Sequence, residues 1–293
     1  CLIPLPPSHE QHRIVAKINE LFVFVNTIES DKTDLQTTIQ LAKSKILDLA
    51  IRGKLVPQNP DDEPASVLLE RIRAEKEELI KQGKIKRDKK ESVIFRGDDN
   101  SYYEVIGSKT TSIDDEIPFD LPKKWEWVRL GVLFSHNTGK ALNKNDTTGI
   151  KMTYITTSNL YWDRFELDSL KEMNFNESEI EKCTVQKGDL LVCEGGDVGR
   201  AAIWNYDNEI RIQNHIHKLR PYSEVSVLLY YYVFYYYKLT DRINGKGIGI
   251  QGLSSNQLHN IFLPLPPLNE QKRIADKVSQ LFSLLDSIAD NVN

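Results

Sequence analysis

The chain has 293 residues, of which 40 % are hydrophobic, and a formal net charge of −4. This size allows about two domains, and the acidic balance argues against a protein that coats nucleic acid indiscriminately, although a local basic face remains compatible with it. The longest apolar run, Val227 to Tyr237, is shorter than the roughly 20 residues of a membrane-spanning helix. Three cysteines without CxxC spacing favour neither a disulfide framework nor a zinc site. We therefore expect a soluble, cytoplasmic protein that has no membrane partner.

A segment near the start of the chain recurs near its end. PLPPSHEQHRIVAKINELF at residues 4–22 and PLPPLNEQKRIADKVSQLF at residues 264–282 are identical at eleven of nineteen positions. Their offset of 260 residues far exceeds a solenoid period of roughly 20 to 50 residues, so the repeating unit is a whole domain plus a helix. Each copy follows a predicted strand end, at residues 1–5 and 261–265, and the prolines stop that strand. We therefore expect an equivalent domain to precede residue 1 in the parent protein.

The first copy opens a predicted long helix over residues 8–50. Apolar residues recur alternately four and three positions apart, which is the heptad seam of a coiled coil. The predicted seam residues are Ile14, Ile18, Leu21, Val25, Ile28, Leu35, Ile39, Ile46 and Leu49 in the first helix, and Ile274, Val278, Leu281 and Leu285 in the second. Gly53 is a plausible end of the first helix. Because the second helix is shorter, we expect a partner chain or further sequence to cover part of the first seam.

Residues 54–115 form a predicted connector. It begins with turn-forming residues and contains a second helix from Pro64 to Gln82. The basic stretch KQGKIKRDKKES that follows is typical of a solvated linker, with phosphate contacts as the alternative. Residues 92–115 lack strong periodicity, so we predict a loop that could include a hairpin.

From Ile117 the sequence becomes rich in short strand patterns. The predicted strands are Trp125–Leu130, Met152–Thr157, Asp189–Cys193, Ala201–Trp204, Ile210–Leu219 and Ile261–Leu265, and the predicted helices are Asn176–Lys182 and Val225–Thr240. The fold class is therefore α+β, with long spacer helices attached to a strand-rich domain. We divide the chain into a terminal strand (1–7), a spacer helix (8–53), the connector (54–115), the strand-rich domain (116–263) and the start of a second spacer helix (264–293).

The sequence contains no recognisable catalytic motif. A GxxxxGK[ST] loop, a GxGxxG turn between strand and helix, and a GxSxG nucleophile are all missing. His215 and His217 alternate on a predicted strand and could supply two metal ligands on one face, but no third ligand lies nearby, so polar or core histidines are the better interpretation. We predict no catalytic residue, no metal site and no cofactor of the chain's own.

The charge distribution favours a binding surface instead. Residues 163–181 hold seven acidic and two basic residues, which leaves the rest of residues 125–263 with 13 basic and 9 acidic residues. One acidic patch beside one basic face is the partition expected of a domain that meets phosphates, although each loop taken alone could be ordinary surface. For phosphate contacts we select Lys140, Lys144, Arg200, Arg211 and Lys246, and for base contacts Asn143, Asn159, Gln213, Asn214 and Gln251.

Three segments carry a resemblance to a known family. The PLPP and EQ.RI motifs before a long helix, GKLVPQNPDDEPASVLLERI at residues 53–72, and LPKKWEWVRLG at residues 121–131 resemble the specificity subunit of type I restriction–modification systems. The resemblance covers essentially the whole chain. It implies two target-recognition domains separated by two helical regions that pack as an antiparallel coiled coil. This chain holds only one complete recognition domain, so it resembles a half subunit or a fragment.

The resemblance also implies a function. Such a subunit reads double-stranded DNA without catalysis and docks methyltransferase subunits, while a restriction and motor subunit translocates and cleaves DNA. S-adenosylmethionine, ATP and magnesium are then expected on those partners. If two copies of this chain form a homodimer through the spacer helix, a bipartite palindrome is the expected target. The alternatives are a coiled-coil scaffold that does not read DNA, and a nuclease or methyltransferase with cryptic catalytic residues.

Overall fold

The computed structural model describes residues 4–87, 91–143, 145–243 and 252–291. The chain divides into two compact units, one formed by Cys1–Ile46 with Ser279–Asn293 and the other by Leu47–Val278. Helices combine with several mostly antiparallel sheets, which confirms the α+β class. Among the described residues, no helix is both long enough and apolar enough to cross a membrane.

The predicted spacer helix is a single unbroken element. Helix α1 runs from Ser8 to Ile51, 44 residues, or roughly 65 Å at 1.5 Å per residue. Gly53 ends it with a φ of 65°, a conformation that glycine adopts without strain. The backbone N–H of Gly53 donates to Ala50 O (3.1 Å) and that of Lys54 to Leu49 O (2.8 Å), the pair of hydrogen bonds of a Schellman motif. The predicted helix and its end are therefore confirmed.

In the first unit, α1 packs beside the last helix, α7 (Leu268–Asp290). The Lys43 ammonium binds the Asp286 carboxylate and lies 5.1 Å from the centre of the Phe282 ring. Ile39 is 5 % exposed. Leu35, Ile46, Leu49, Leu281 and Leu285 are half-buried. The predicted seam residues nearer the start of the chain, Ile14, Ile18, Leu21, Val25 and Ile28, are instead 42 to 52 % exposed.

The two copies of the repeat have different surroundings. Leu265, Ile274 and Val278 in the second copy are fully buried, whereas their equivalents Leu5, Ile14 and Ile18 are 85 %, 42 % and 44 % exposed. The second copy follows strand β15 (Phe262–Leu265), which pairs antiparallel with strand β4 (Glu126–Arg129). In the first copy, residues 4–7 form no strand, and residues 1–3 of the predicted strand end lie outside the described residues.

The connector is more ordered than its sequence suggests. After helix α2 (Ala65–Lys81), strands β1 (Ser92–Arg96), β2 (Tyr102–Ile106) and β3 (Lys109–Ser112) form an antiparallel sheet. The predicted loop at residues 92–115 was therefore wrong in extent. A tertiary contact explains the difference, because Glu104 of β2 is buried and accepts two hydrogen bonds, of 2.9 and 2.8 Å, from the guanidinium of Arg129. In the basic stretch, Arg87 forms a bidentate pair with Glu77.

The strand-rich domain is built around two four-stranded sheets. Its elements after β4 are α3 (Leu130–Leu133), β5 (Phe134–Thr138), β6 (Ile150–Ile155), β7 (Leu160–Tyr161), β8 (Arg164–Phe165), β9 (Lys171–Phe175), α4 (Glu177–Cys183), β10 (Thr184–Val185), β11 (Leu190–Cys193), β12 (Ala201–Ile203), β13 (Ile210–Ile212), β14 (Ile216–Pro221), α5 (Val227–Leu239) and α6 (Ser255–His259), before β15. The sheet orders are β10-β13-β6-β9 and β12-β11-β14-β5. Side chains of both sheets form one core, including Ile155, Phe175 and Ile212 from the first and Leu191 and Ile216 from the second. The pairing of β13 with β6 is parallel, and the other pairs are antiparallel.

Most predicted elements of this domain are present with shifted ends, but one predicted strand is divided and several observed elements were not predicted. The predicted strand Ile210–Leu219 is two strands, β13 and β14, because Gln213 to His215 form a turn between them. Strands β5 and β9 were not predicted, because polar residues occupy most of their positions and obscure the pattern of a strand. His136, for example, lies opposite Leu219 in the ladder between β5 and β14.

Candidate nucleic-acid interface

Among the described residues, the predicted DNA-contacting residues of the strand-rich domain lie in or beside loops that hydrogen bonds join to one another. We call the surface of these loops the loop face and define it as residues 139–143, 145–149, 156–162, 194–200, 213–215 and 252–254. Backbone hydrogen bonds connect its loops: Glu194 N–H donates to His215 O (2.9 Å), Leu253 N–H to Glu194 O (2.8 Å), and Gln213 N–H to Ile155 O (3.0 Å). The loops therefore have defined positions relative to one another.

Gly139 allows two of these loops to approach closely. A Cβ atom at this position would lie 2.0 Å from Ile212 O, well inside the contact distance of the atoms. The next residue forms an isolated parallel bridge with Gln213. The glycine therefore allows the loop after β5 to align beside the turn between β13 and β14.

Three of the predicted DNA-contacting residues lie close together in the sequence, Arg211 on β13 and Gln213 and Asn214 on the turn that follows it. All three are half-buried. Among the described residues, the buried Nε of Arg211 has no hydrogen-bond partner. Burying a guanidinium nitrogen without an acceptor is costly, so a rotation of this side chain toward an external acceptor would relieve that cost.

Two other predicted contacts are occupied within the chain. The Asn159 side chain accepts from the backbone N–H and the hydroxyl of Thr156, both at 2.9 Å, and donates to Glu166 O, so it shapes its own turn. The Lys140 side chain is 8 % exposed, and its ammonium binds both the Asp146 and the Glu179 carboxylates at 2.7 Å. Although burial disfavours its charge, the two carboxylates raise the pKa of Lys140.

Arg200 is partly engaged. It donates to Thr157 O at 2.7 Å, lies 3.8 Å from an Asp197 carboxylate oxygen, and stacks 5.1 Å from the centre of the Tyr161 ring. Its Nε is also buried without a hydrogen-bond partner among the described residues. The guanidinium therefore joins the 156–162 loop to the 194–200 loop, a role that the sequence did not reveal.

Of the four remaining predicted DNA contacts, only Asn143 lies among the described residues. Asn143 is exposed, and its side-chain oxygen accepts from the backbone N–H of Asn145 at 3.1 Å. Lys144, Lys246 and Gln251 lie outside the described residues. The separate acidic patch expected at residues 163–181 is not fully separate from the basic residues, since Glu179 of that segment binds Lys140. An Asn176–Glu179 capping box presents this carboxylate, and the N-x-x-E spacing was a signal available in the sequence.

The histidines do not form the arrangement predicted from strand alternation. His215 lies in the turn, where its Nδ1 is 3.4 Å from a Glu194 carboxylate oxygen. His217 is buried on β14, and its Nδ1 lies 2.8 Å from Nε2 of His136. Burial, reinforced by the neighbouring His217, His259 and Lys182, lowers the pKa of His136 to about 3. Among the described residues, no group of three or more His, Cys, Asp or Glu side chains could hold a metal ion.

The match to a known family covers more than half of the chain. Residues 122–293 match the model of the family described as "Type I restriction modification DNA specificity domain". The chain belongs to the type I restriction–modification specificity subunit family. The segment that matches starts just before β4 and ends at the last residue, so it includes the whole loop face.

Individual relatives agree with this assignment. The specificity subunit of the type I restriction enzyme EcoEI of Escherichia coli is 30 % identical over 85 % of this chain and 40 % of its own length. The EcoAI specificity subunit of the same species is 26 % identical over 98 % of this chain and 54 % of its own length. This specificity-subunit chain thus spans about half the length of the relatives that it matches.

Solved structures show the same fold. A chain from a structural study of complex assembly and conformational transition in the type I R-M system superposes with a TM-score of 0.64 at 18 % identity, and covers 99 % of this chain and 56 % of that one. The HsdS subunit of Thermoanaerobacter tengcongensis gives a TM-score of 0.50 at 19 % identity, covering 98 % of this chain and 55 % of that one. At these identities the likeness concerns the fold of the specificity subunit.

Proposed function

We propose that this chain recognises one half-site of a double-stranded DNA target for a type I restriction–modification complex. The observation that carries the proposal is the segment 211–214, where the buried Nε of Arg211 has no hydrogen-bond partner among the described residues and the side chains of Gln213 and Asn214 are half-buried. Amides pair with base edges, and guanidinium groups bind phosphates or guanine. The family match supports the same conclusion.

Selection from a library of DNA duplexes with a randomised central stretch tests the proposal. The full chain, assembled with the methyltransferase subunits of its own system, is expected to enrich one motif. Substituting Gln213→Ala or Asn214→Ala should relax that motif at individual base pairs and weaken binding by about 1–3 kcal/mol. The matched control is Gln186→Ala, because Gln186 is an exposed glutamine outside the loop face that binds Glu209. If Gln213→Ala, Asn214→Ala and the control all leave the motif intact, the loop face does not read bases.

Arg211 provides a separate measurement. If its guanidinium contacts a phosphate, Arg211→Gln should make the slope of log affinity against log salt less steep by about 0.9 without altering the motif. If it reads a guanine, the same variant should alter the motif at that position. Either result supports DNA contact at Arg211, whereas unchanged affinity, salt slope and motif would contradict it.

The family and the spacer helix support a set of protein partners. We infer that the chain docks methyltransferase subunits and, through them, a restriction and motor subunit, and that S-adenosylmethionine, ATP and magnesium bind to those partners in the cytoplasm. The chain itself is then a non-catalytic subunit. Purified chain alone should neither methylate nor cleave DNA, and either activity would contradict this part of the proposal.

The exposed part of the α1 seam supports a homodimer. Five apolar side chains between Ile14 and Ile28 are 42 to 52 % exposed, and a continuous apolar stripe of this kind marks an interaction surface. A second copy would bring two recognition domains together to read a bipartite palindrome. Analytical ultracentrifugation should show a dimer at micromolar concentration, and a stable monomer would contradict it.

A further inference from the structure

Lys140 has an environment unlike that of a lysine that binds DNA. Its ammonium has three donors and three close acceptors: Asp146 Oδ2 (2.7 Å), Glu179 Oε2 (2.7 Å) and Asn174 O (2.8 Å). Its side chain is only 8 % exposed. A DNA phosphate could bind this ammonium only by displacing one of the three oxygens and leaving it without its partner.

The backbone of Lys140 is hydrogen-bonded to Ile212 at the end of β13 and to Asn214 in the turn that follows. Its N–H donates to Ile212 O (3.1 Å), and its carbonyl accepts from the N–H of Asn214 (3.0 Å). The residue before it, Gly139, allows this close approach to Ile212. The main chain of Lys140 is therefore held against the turn that presents Asn214.

The side chain of Lys140 closes the loop that follows it. Asp146 lies six residues further on, and its backbone N–H donates to Asn143 O at 3.2 Å. Pairing with the Lys140 ammonium and hydrogen bonds from Thr148 hold the pKa of Asp146 well below its usual range. Glu179 anchors the same ammonium to the start of α4, where its carboxylate also accepts from the backbone N–H of Asn176. The ion pairs of Lys140 with Asp146 and Glu179 thus hold the loop that carries the exposed Asn143.

We propose that Lys140 is a positioning residue for DNA recognition, which sets the spacing between Asn143 and Asn214 on the loop face without touching DNA. The inference rests on the proposed function, because it assigns a role within the same surface. It replaces the phosphate-contacting role that the sequence suggests for Lys140. The physical reason is that the main chain of Lys140 is hydrogen-bonded to Asn214, while its side chain closes the loop that carries Asn143.

Two substitutions separate positioning from phosphate contact. Lys140→Met removes the charge and keeps much of the side-chain length, whereas Asp146→Asn breaks one contact from the loop side and leaves the ammonium in place. The matched control is Lys151→Met, because Lys151 is an exposed lysine that pairs with Glu172 on the neighbouring strand. Each variant of the full chain, assembled with its methyltransferase subunits, is assayed by selection from the randomised duplex library, by titration of the enriched duplex at several salt concentrations, and by thermal unfolding.

Positioning predicts that Lys140→Met and Asp146→Asn both relax the motif at the same subset of base pairs. Affinity for the enriched duplex should fall by roughly tenfold, the size of one lost base contact, while the salt slope stays that of the wild type. Lys151→Met should leave the motif unchanged.

Other results would overturn the inference. A salt slope less steep by about 0.9 with an intact motif in Lys140→Met would show a direct phosphate contact, and so would tighter binding by Asp146→Asn, which frees the ammonium. A uniform loss of affinity with an intact motif would show a structural role only. If Lys140→Met does not fold, the Asp146→Asn result decides alone. Failure of the wild type to enrich any motif would instead refute the proposed function, and this inference with it.

Discussion

The hydrogen-bonded pair of His136 and His217 makes the stability of the recognition domain depend on pH. Nε2 of His217 lies 2.6 Å from Leu253 O, which can only accept, so this nitrogen carries a proton and Nδ1 is the acceptor for Nε2–H of His136. A proton on Nδ1 of His217 would oppose that bond. Burial lowers the pKa of both imidazoles, that of His136 to about 3. His136 is therefore neutral in the folded protein at mildly acidic pH.

The size of the effect follows from proton linkage. In the unfolded chain a histidine has a pKa near 6.5, so between about pH 6.5 and pH 3 the unfolded state binds a proton at this position that the folded state does not. Stability is therefore lost as the pH falls through that window. Between about pH 7 and pH 5, His136 alone accounts for about 2 kcal/mol. At pH 5 this free-energy difference depends on the pKa of the unfolded histidine and hardly on that of folded His136, because pH 5 lies well above the folded pKa of about 3.

Urea unfolding of wild type and His136→Gln at about pH 7 and about pH 5 measures this difference. Glutamine keeps a hydrogen-bond donor for His217 but does not titrate, and the fluorescence of the buried Trp127 and Trp204 reports on the domain. The wild type should lose about 2 kcal/mol more than the variant between the two pH values. Equal losses in both proteins would refute the reasoning.

Three further predictions concern stability. Ile14 and Ile274 are equivalent repeat positions with 42 % and 0 % exposure, so at a protein concentration where the proposed dimer is dissociated, Ile274→Ala should cost about 2–5 kcal/mol and Ile14→Ala under about 0.5 in thermal unfolding; a similar loss at both positions under that condition would contradict the exposure of Ile14. Gly139→Ala would place its Cβ 2.0 Å from Ile212 O, so we expect a lower Tm and a relaxed DNA motif, and an unchanged Tm would contradict the close approach. Burial raises the pKa of Glu270, and a raised carboxyl pKa means that stability is lost as the pH rises through it. The stability of Glu270→Gln relative to wild type should therefore be higher at about pH 7 than at about pH 4. A difference that is the same at both pH values would contradict a cost of burying the Glu270 carboxylate.

Local patterns in the sequence predicted helices α1, α2, α4, α5 and α7, but not the short helices α3 and α6. The heptad spacing and Gly53 were sufficient for α1, because side-chain periodicity and a left-handed glycine are properties of neighbouring residues. The strands on either side of the recognition domain were also predicted near their observed positions. Their pairing, Phe262 opposite Arg129, was not predicted, because strand partners are chosen by packing across more than a hundred residues.

The candidate site likewise has features that the sequence predicted and features that it did not. The sequence selected Arg211 and Lys140 by the same criterion, as cations in a polar loop. In the structure Arg211 keeps a buried nitrogen without an acceptor, whereas Lys140 is held by carboxylates from two other segments. Residue type and loop position do not distinguish these cases, since the difference lies in partners as far as 39 residues away.

The sequence by itself determined the repeat, the α+β class, the long helix, and the family, because each of these is written in residue type and spacing along the chain. Only the tertiary structure decided which polar side chains have partners within the chain, which copy of the repeat is covered, and which histidines contact each other. Those properties depend on contacts between segments remote in sequence, where burial and hydrogen-bond geometry determine which side chains remain available for a ligand.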